Sequence, residues 1–197
     1  MRTIRSSIDC DEGFALVVAL MTMTLMLALG TALMLITTTE TQIAANHRDG
    51  VVTLHAADAA IDLAISSLRF VPRWTDVLSG ASTSLFADGP PVGVRQVAGG
   101  RLIDLGVEAP KEPAQAPWRL YVHGSLGDFV HVGNAGQPGY VAVWVVGDPA
   151  VPDVLTLWAS AFGPSQTRRN VEATVARVAP PDPAEPPRIR TLTWRER

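Results

Sequence analysis

The chain has 197 residues, a formal net charge of -3 and 47% hydrophobic residues, which allows one domain plus an anchor. Lys111 is its single lysine, so there is no clustered basic surface of the kind that nucleic acid requires. Cys10 is its single cysteine, which excludes an internal disulfide framework.

Residues 1–13 are short and polar, with Arg2 and Arg5 outnumbered by Asp9, Asp11 and Glu12. Phe14 to Thr39 then carries no charge, and only Thr22, Thr24, Gly30 and Thr31 interrupt the apolar run from Phe14 to Ile36. A helix of about 23 residues is about 35 Å long and crosses a hydrocarbon core of about 30 Å. In lipid the backbone must satisfy itself, so the run is expected to be helical, with its threonine hydroxyls bonded back to carbonyls one turn earlier. The apolar run is too long for a secretory signal, despite the small residues Ile43-Ala44-Ala45. No apolar stretch precedes Cys10, as a lipoprotein signal would need.

Beyond Ile36, the residues Ile36, Ile43, Val51, Leu54, Ile61, Ile65 and Leu68 recur at helical spacing, so the helix is expected to continue to about Arg69, where Pro72 stops it. Gly50 is expected to bend or soften it. A helix from Phe14 to Arg69 would be about 80 Å long, more than a compact domain encloses, so its first half is expected to reach into lipid or into an assembly of similar helices.

In residues 73–117, Gly99-Gly100 between two short apolar segments predicts a hairpin, and the prolines of 109–117 predict a linker. Strands are predicted at 118–123, with Leu120 and Val122 on one face, at 140–146, at 154–162 and at 171–178. In the last of these Val171, Ala173 and Val175 face one way and Glu172 and Thr174 the other. The fold class is therefore α+β: a long N-terminal helix, half transmembrane and half amphipathic, packed on an antiparallel sheet of four to six strands through Ile61, Ile65 and Leu68. The expected division is a leader at 1–13, a transmembrane or assembly helix at 14–36, its amphipathic continuation at 37–70, a β-rich head at 71–178, and a proline-rich linker and tail at 179–197. The tail reads either as a detached edge strand that finds a partner or as a disordered end.

Catalytic signatures are thin. Gly124-Ser125-Leu126-Gly127 lacks the spacing and the following helix of a nucleophile elbow, although His123 and His131 are near. The glycine-rich stretch Gly133–Gly139 leads into a strand rather than a helix, so it reads as a surface loop and not a phosphate cradle. His47, His55, His123 and His131 form no metal-ligand spacing, and Asp148 and Asp153 read as an acidic turn rather than a calcium site. The expectation is a protein that is no enzyme, with no metal and no cofactor.

Glu12-Gly13-Phe14-Ala15-Leu16-Val17-Val18-Ala19-Leu20 resembles a type IV prepilin junction, in particular the N-terminal region of PilX-type minor pilins. The resemblance continues through Thr37-Thr38-Thr39-Glu40, Ala44–Asp49 and His55-Ala56-Ala57-Asp58-Ala59-Ala60, about residues 10–70 in all. It implies cleavage between Gly13 and Phe14 by a prepilin peptidase, which approaches the backbone closely at a glycine, and methylation of the new Phe14 amine. Cys10 would leave with the leader, so the mature chain would lack the disulfide that many pilins carry.

In major pilins the fifth mature residue is a glutamate, tolerable in an apolar filament core only when paired with a neighbour's amine. Val18 occupies that place here, as an apolar residue does in PilX-type pilins and in the tip pseudopilin of type II secretion. The resemblance thus implies a minor pilin that initiates or caps a type IV pilus at its tip, made as a single-pass inner-membrane precursor with a periplasmic head. Ala15, Ala19, Ala28, Gly30 and Ala32 would permit close helix packing on other minor pilins and the major pilin. A PilY-type tip adhesin is the further implied partner. A type II secretion pseudopilin and an unprocessed single-pass periplasmic binding protein are the alternatives.

Overall fold

The computed structural model describes residues 9–97, 100–111, 117–129, 139–148, 150–164, 166–180 and 187–197. The leader residues 1–8, Gly99, residues 112–116 of the proline-rich stretch, His131 and the loop up to Pro138 lie outside them. The chain divides into two units, Met1–Asn46 and His47–Arg197. Helix α1 (Asp9–Leu68) contributes to both.

In the first unit α1 is the described structure, and every residue from Gly13 to Asn46 is exposed. Its threonines behave as expected of hydroxyls without water: Thr22 donates to Ala19 O at 2.8 Å, Thr24 to Met21 O at 2.9 Å, and Thr31 to Ala28 O at 2.9 Å.

In the second unit the strands β3 (Arg119–Ser125), β4 (Tyr140–Gly147), β5 (Val154–Phe162), β6 (Arg168–Val178) and β7 (Arg188–Glu196) form an antiparallel sheet in sequence order. Strands β1 (Val94–Gln96) and β2 (Leu102–Asp104) form a separate hairpin. Gly100, at φ 78, takes the left-handed turn position that a side chain would disfavour. Short helices α2 (Trp74–Ser79) and α3 (Leu126–Phe129) complete the elements.

Period-two alternation gives the sheet two apolar faces. One, built on Val141, Val143, Leu155, Leu157, Val171, Ala173 and Val175, packs on the C-terminal part of α1. The other, with Tyr140, Ala142, Trp144 and Phe162, lies under Val97, Ile103 and Leu105. Strand β4 serves both, which is why it reads as a continuous apolar run rather than an alternating one.

The face that α1 presents differs from the expected stripe. Ile61 and Leu68 are buried, but Leu54 and Ile65 are half-buried and Val51 is exposed, as Ile36 and Ile43 are in the first unit. The buried positions are instead Thr53, Ala56, Ala57, Ala60 and Ala64. Alanine lets the helix backbone come close to the sheet, and the larger side chains fill the flanks. Gly50 is not a break: it stays helical, and an added Cβ would lie 3.1 Å from Arg169 Nη2, so it makes room for that guanidinium.

Helix α1 ends at Leu68, just before Pro72. The Trp74 indole donates to Leu68 O at 3.2 Å. Arg177, on β6, donates to Val71 O at 2.6 Å and to Pro72 O, and its guanidinium stands 4.7 Å over the Trp74 ring. The last helical carbonyl and those of the segment that leaves the helix are thus met by side chains from outside it.

Two strand expectations change. Between Leu120 and Val122 the register with β4 shifts, so Leu120 pairs with Trp144 on one face and Val122 with Val143 on the other. They do not share a face, because the extra residue of a bulge reverses the alternation. The tail is not detached either: residues 188–196 are β7, hydrogen-bonded along β6 of the same chain. Any strand addition by the tail is therefore confined to its outer edge.

Candidate functional site

The feature that most departs from a soluble fold is the surface of α1 after Gly13. Gly13–Leu68 is long and apolar enough to cross a membrane, and its most apolar 18-residue window has a mean hydropathy of 2.2 with none of it buried. Phe14 is 73% exposed and Leu27 70%. Apolar surface on this scale marks a place where lipid or other protein belongs.

Neither glycine of this stretch is required by packing within the chain. An added Cβ at Gly13 or at Gly30 meets nothing within 4 Å. Glycine inside a helix costs about 1 kcal/mol relative to alanine, and here no intramolecular contact offsets it. Gly13–Phe14 also does not stand at a helix start, since α1 begins at Asp9, so the junction is already wound into helix.

At about 100° per residue the small residues fall into two groups. Ala15, Ala19 and Gly30 lie within about 60° of one another, on one face. Ala28 and Ala32 lie on the opposite face, and Val18 is closer to them, beside Leu25 and Leu29. The helix thus offers two separate tracks for close approach rather than one.

Elsewhere the structure gives the remaining candidates ordinary partners. His123 is buried, and its Nδ1 lies 2.7 Å from Asp88 Oδ1, in a segment that pairs with the outer edge of β3 through His123 N to Phe86 O and Asp88 N to His123 O. Burial lowers the His123 pKa, and the Asp88 hydrogen bond and charge oppose this only in part. A separation of 35 residues hid this pair from sequence reading. His131 lies outside the described residues. Asp148 Oδ1 accepts from Ala150 N at 2.8 Å, as a turn residue does. Among the described residues no three His, Cys, Asp or Glu side chains gather as a metal site.

The family model described as PilX N-terminal matches residues 12–62. The match opens one residue before Gly13, spans the whole exposed apolar surface and continues into the buried alanine face. No curated protein and no solved structure matches the chain significantly. The chain therefore carries a PilX-type pilin N-terminus, a type IV pilus-related element, ahead of its β-rich head.

Proposed function

We propose that this chain, with its PilX-type pilin N-terminus, is a minor pilin that helps to initiate or cap type IV pilus assembly at the filament tip. The observation that carries the reading is the uncharged, wholly exposed surface from Phe14 to Thr39, set directly after Gly13 and inside the PilX N-terminal match. Before assembly the helix sits in the inner membrane with the head on the periplasmic side. A prepilin peptidase cuts between Gly13 and Phe14, where glycine eases both local unwinding and close approach of the enzyme, and the Phe14 amine is methylated.

Assembly then exchanges lipid for protein around α1. Lipid tails are as apolar as leucine, so packing rather than hydrophobic transfer decides this exchange. Ala15, Ala19 and Gly30 on one face and Ala28 on the other let neighbouring helices come close. The neighbours are other minor pilins and the major pilin, and the head meets a PilY-type tip adhesin. Val18 suits a subunit used once: without a carboxylate there, nothing must be paired in an apolar core, and nothing recruits the next amine in a repeating shaft. The same apolar position also favours a second reading, the tip pseudopilin of a type II secretion system.

The test is intact-mass analysis of the chain from cells with an active prepilin peptidase, together with its copy number in sheared filaments. A mature chain beginning at N-methyl-Phe14, present far below the major pilin, is the expected result. An unprocessed Met1, or a copy number equal to that of the shaft subunit, refutes it. Presence in pseudopili instead of pili selects the second reading.

A further inference from the structure

On the face of the sheet opposite α1, the hairpin β1–β2 covers only one end. From the covered end to the open part runs a single cross-strand row: Leu120, Trp144, Trp158, Glu172 and Arg195 are successive register partners on β3 to β7, with Trp144 buried beneath the cluster and Trp158, Glu172 and Arg195 reaching the open groove. The adjacent row is Val146, Thr156, Thr174 and Thr193. Trp118, just before β3, stands edge-on to Trp158, with ring centroids 6.3 Å apart and planes at 69°. Trp118, Thr156, Trp158, Glu172, Arg195 and Arg197 line a groove of about 340 Å³.

The groove is pre-organised. Trp158 Nε1 donates to Ser160 Oγ at 3.3 Å, which holds the ring in place. The Glu172 side chain is only 13% exposed, and its two oxygens accept from Arg195 Nη2 at 2.5 Å and Arg197 Nε at 2.8 Å. Among the described residues, Trp118 Nε1 is buried and has no hydrogen-bond partner.

The chemistry of these groups narrows the ligand. An indole platform takes a flat, C–H-rich face. A carboxylate locked between two guanidiniums takes groups that can donate to it and accept from the spare N–H donors at the same time, which means hydroxyls. A phosphate would meet arginines already engaged by Glu172 and would be repelled by that carboxylate. An apolar peptide would desolvate Glu172 and Arg195 without replacing their water. A pyranose ring has both required features, an apolar C–H face and a rim of hydroxyls. We propose that this groove binds a pyranose saccharide, one ring stacking on Trp158 with its hydroxyls held by Glu172, Arg195 and Thr156. The proposal stands on the head alone and is independent of the pilus reading.

The test uses the purified full chain in a detergent without a sugar headgroup. Methyl pyranosides and short oligosaccharides are titrated into the millimolar range, read by indole fluorescence and saturation-transfer difference NMR, and an immobilised glycan array separates soluble from surface-displayed sources. The expected result is saturable binding of at least one pyranoside series, with the largest saturation transfer on the C–H protons of a single ring face. Trp158→Ala weakens it at least about tenfold, equivalent to about 1.4 kcal/mol, and Trp158→Phe retains most of it. Glu172→Gln and Thr156→Val, on the rim, weaken binding with an unchanged far-UV circular dichroism spectrum. Absence of saturable binding across the series, indifference of binding to Glu172→Gln and Thr156→Val, or displacement by inorganic phosphate as effective as by sugar overturns the proposal.

Discussion

Gly163, at the turn between β5 and β6, faces α1 with almost no clearance, and Gly163→Ala is expected to be costly for that reason. An added Cβ would lie 2.1 Å from Thr53 Oγ1, 3.3 Å from its Cβ and 3.5 Å from its Cγ2. The φ of Gly163 is not positive, so the objection to alanine is space, not backbone conformation. Thr53 cannot simply turn away. It is buried, its hydroxyl donates to Asp49 O at 2.6 Å, and exchanging hydroxyl for methyl puts an equally large group in the same place. The third rotamer runs into the preceding helical turn. Overpacking of this kind costs about 1–3 kcal/mol. A loss of about 2 kcal/mol lowers Tm by about 4–8 °C in a chain of this size. Thr53→Ala removes the obstructing hydroxyl and the methyl that could take its place, leaving one tight Cβ contact, so the double variant should recover most of the loss. A four-corner cycle of thermal unfolding on the full chain in detergent measures this, with an expected coupling of about 1–2 kcal/mol. The reasoning fails if Gly163→Ala lies within about 0.5 kcal/mol of the parent, or if the two substitutions simply add.

The clasp at the end of α1 predicts a graded response at Arg177. Arg177→Ala strands the Val71 and Pro72 carbonyls and uncovers Trp74, for a loss of about 2–4 kcal/mol in urea unfolding, with an unchanged denaturant slope. Arg177→Lys keeps the charge but cannot fork to two carbonyls, so it recovers less than half; full recovery by lysine would refute the geometry. For pH, the His123 pKa is lower in the folded chain than its ordinary 6.5, so the unfolded chain binds more protons between the two values. Its contribution to stability is therefore complete above about 6.5 and declines as pH falls toward the folded value. His123 faces Asp88, with Arg95 and Tyr140 beside that carboxylate, and His123→Gln should flatten the decline. An identical pH profile in parent and variant would refute this.

Much of the architecture was legible because its signals are local. The uncharged run after Gly13 favours a helix, since in lipid a single segment satisfies its backbone within itself only as a helix. The bounds of β5 follow from a run of apolar and small residues between turn residues, and the alternation Val171, Glu172, Ala173, Thr174, Val175 is enough to orient β6. The PilX-type N-terminus was legible for the same reason, as contiguous residues.

What required the tertiary structure was every feature that depends on which atoms meet. Periodicity named the largest apolar side chains of α1, but the sheet selected its alanines, because the closeness of two backbones is a property of the pair. A one-residue bulge in β3 separated Leu120 from Val122, and no pattern within one strand encodes its partner's register. The tail, ambiguous alone, became β7 because β6 offered an unpaired ladder to an alternating basic segment. His123 found Asp88, and Trp158 came to lie between Trp144 and Glu172, across gaps in sequence that only folding closes. The physical reason is the range of the forces: backbone hydrogen bonding and hydropathy act on neighbours in the chain, whereas packing, ion pairing and strand register act on neighbours in space.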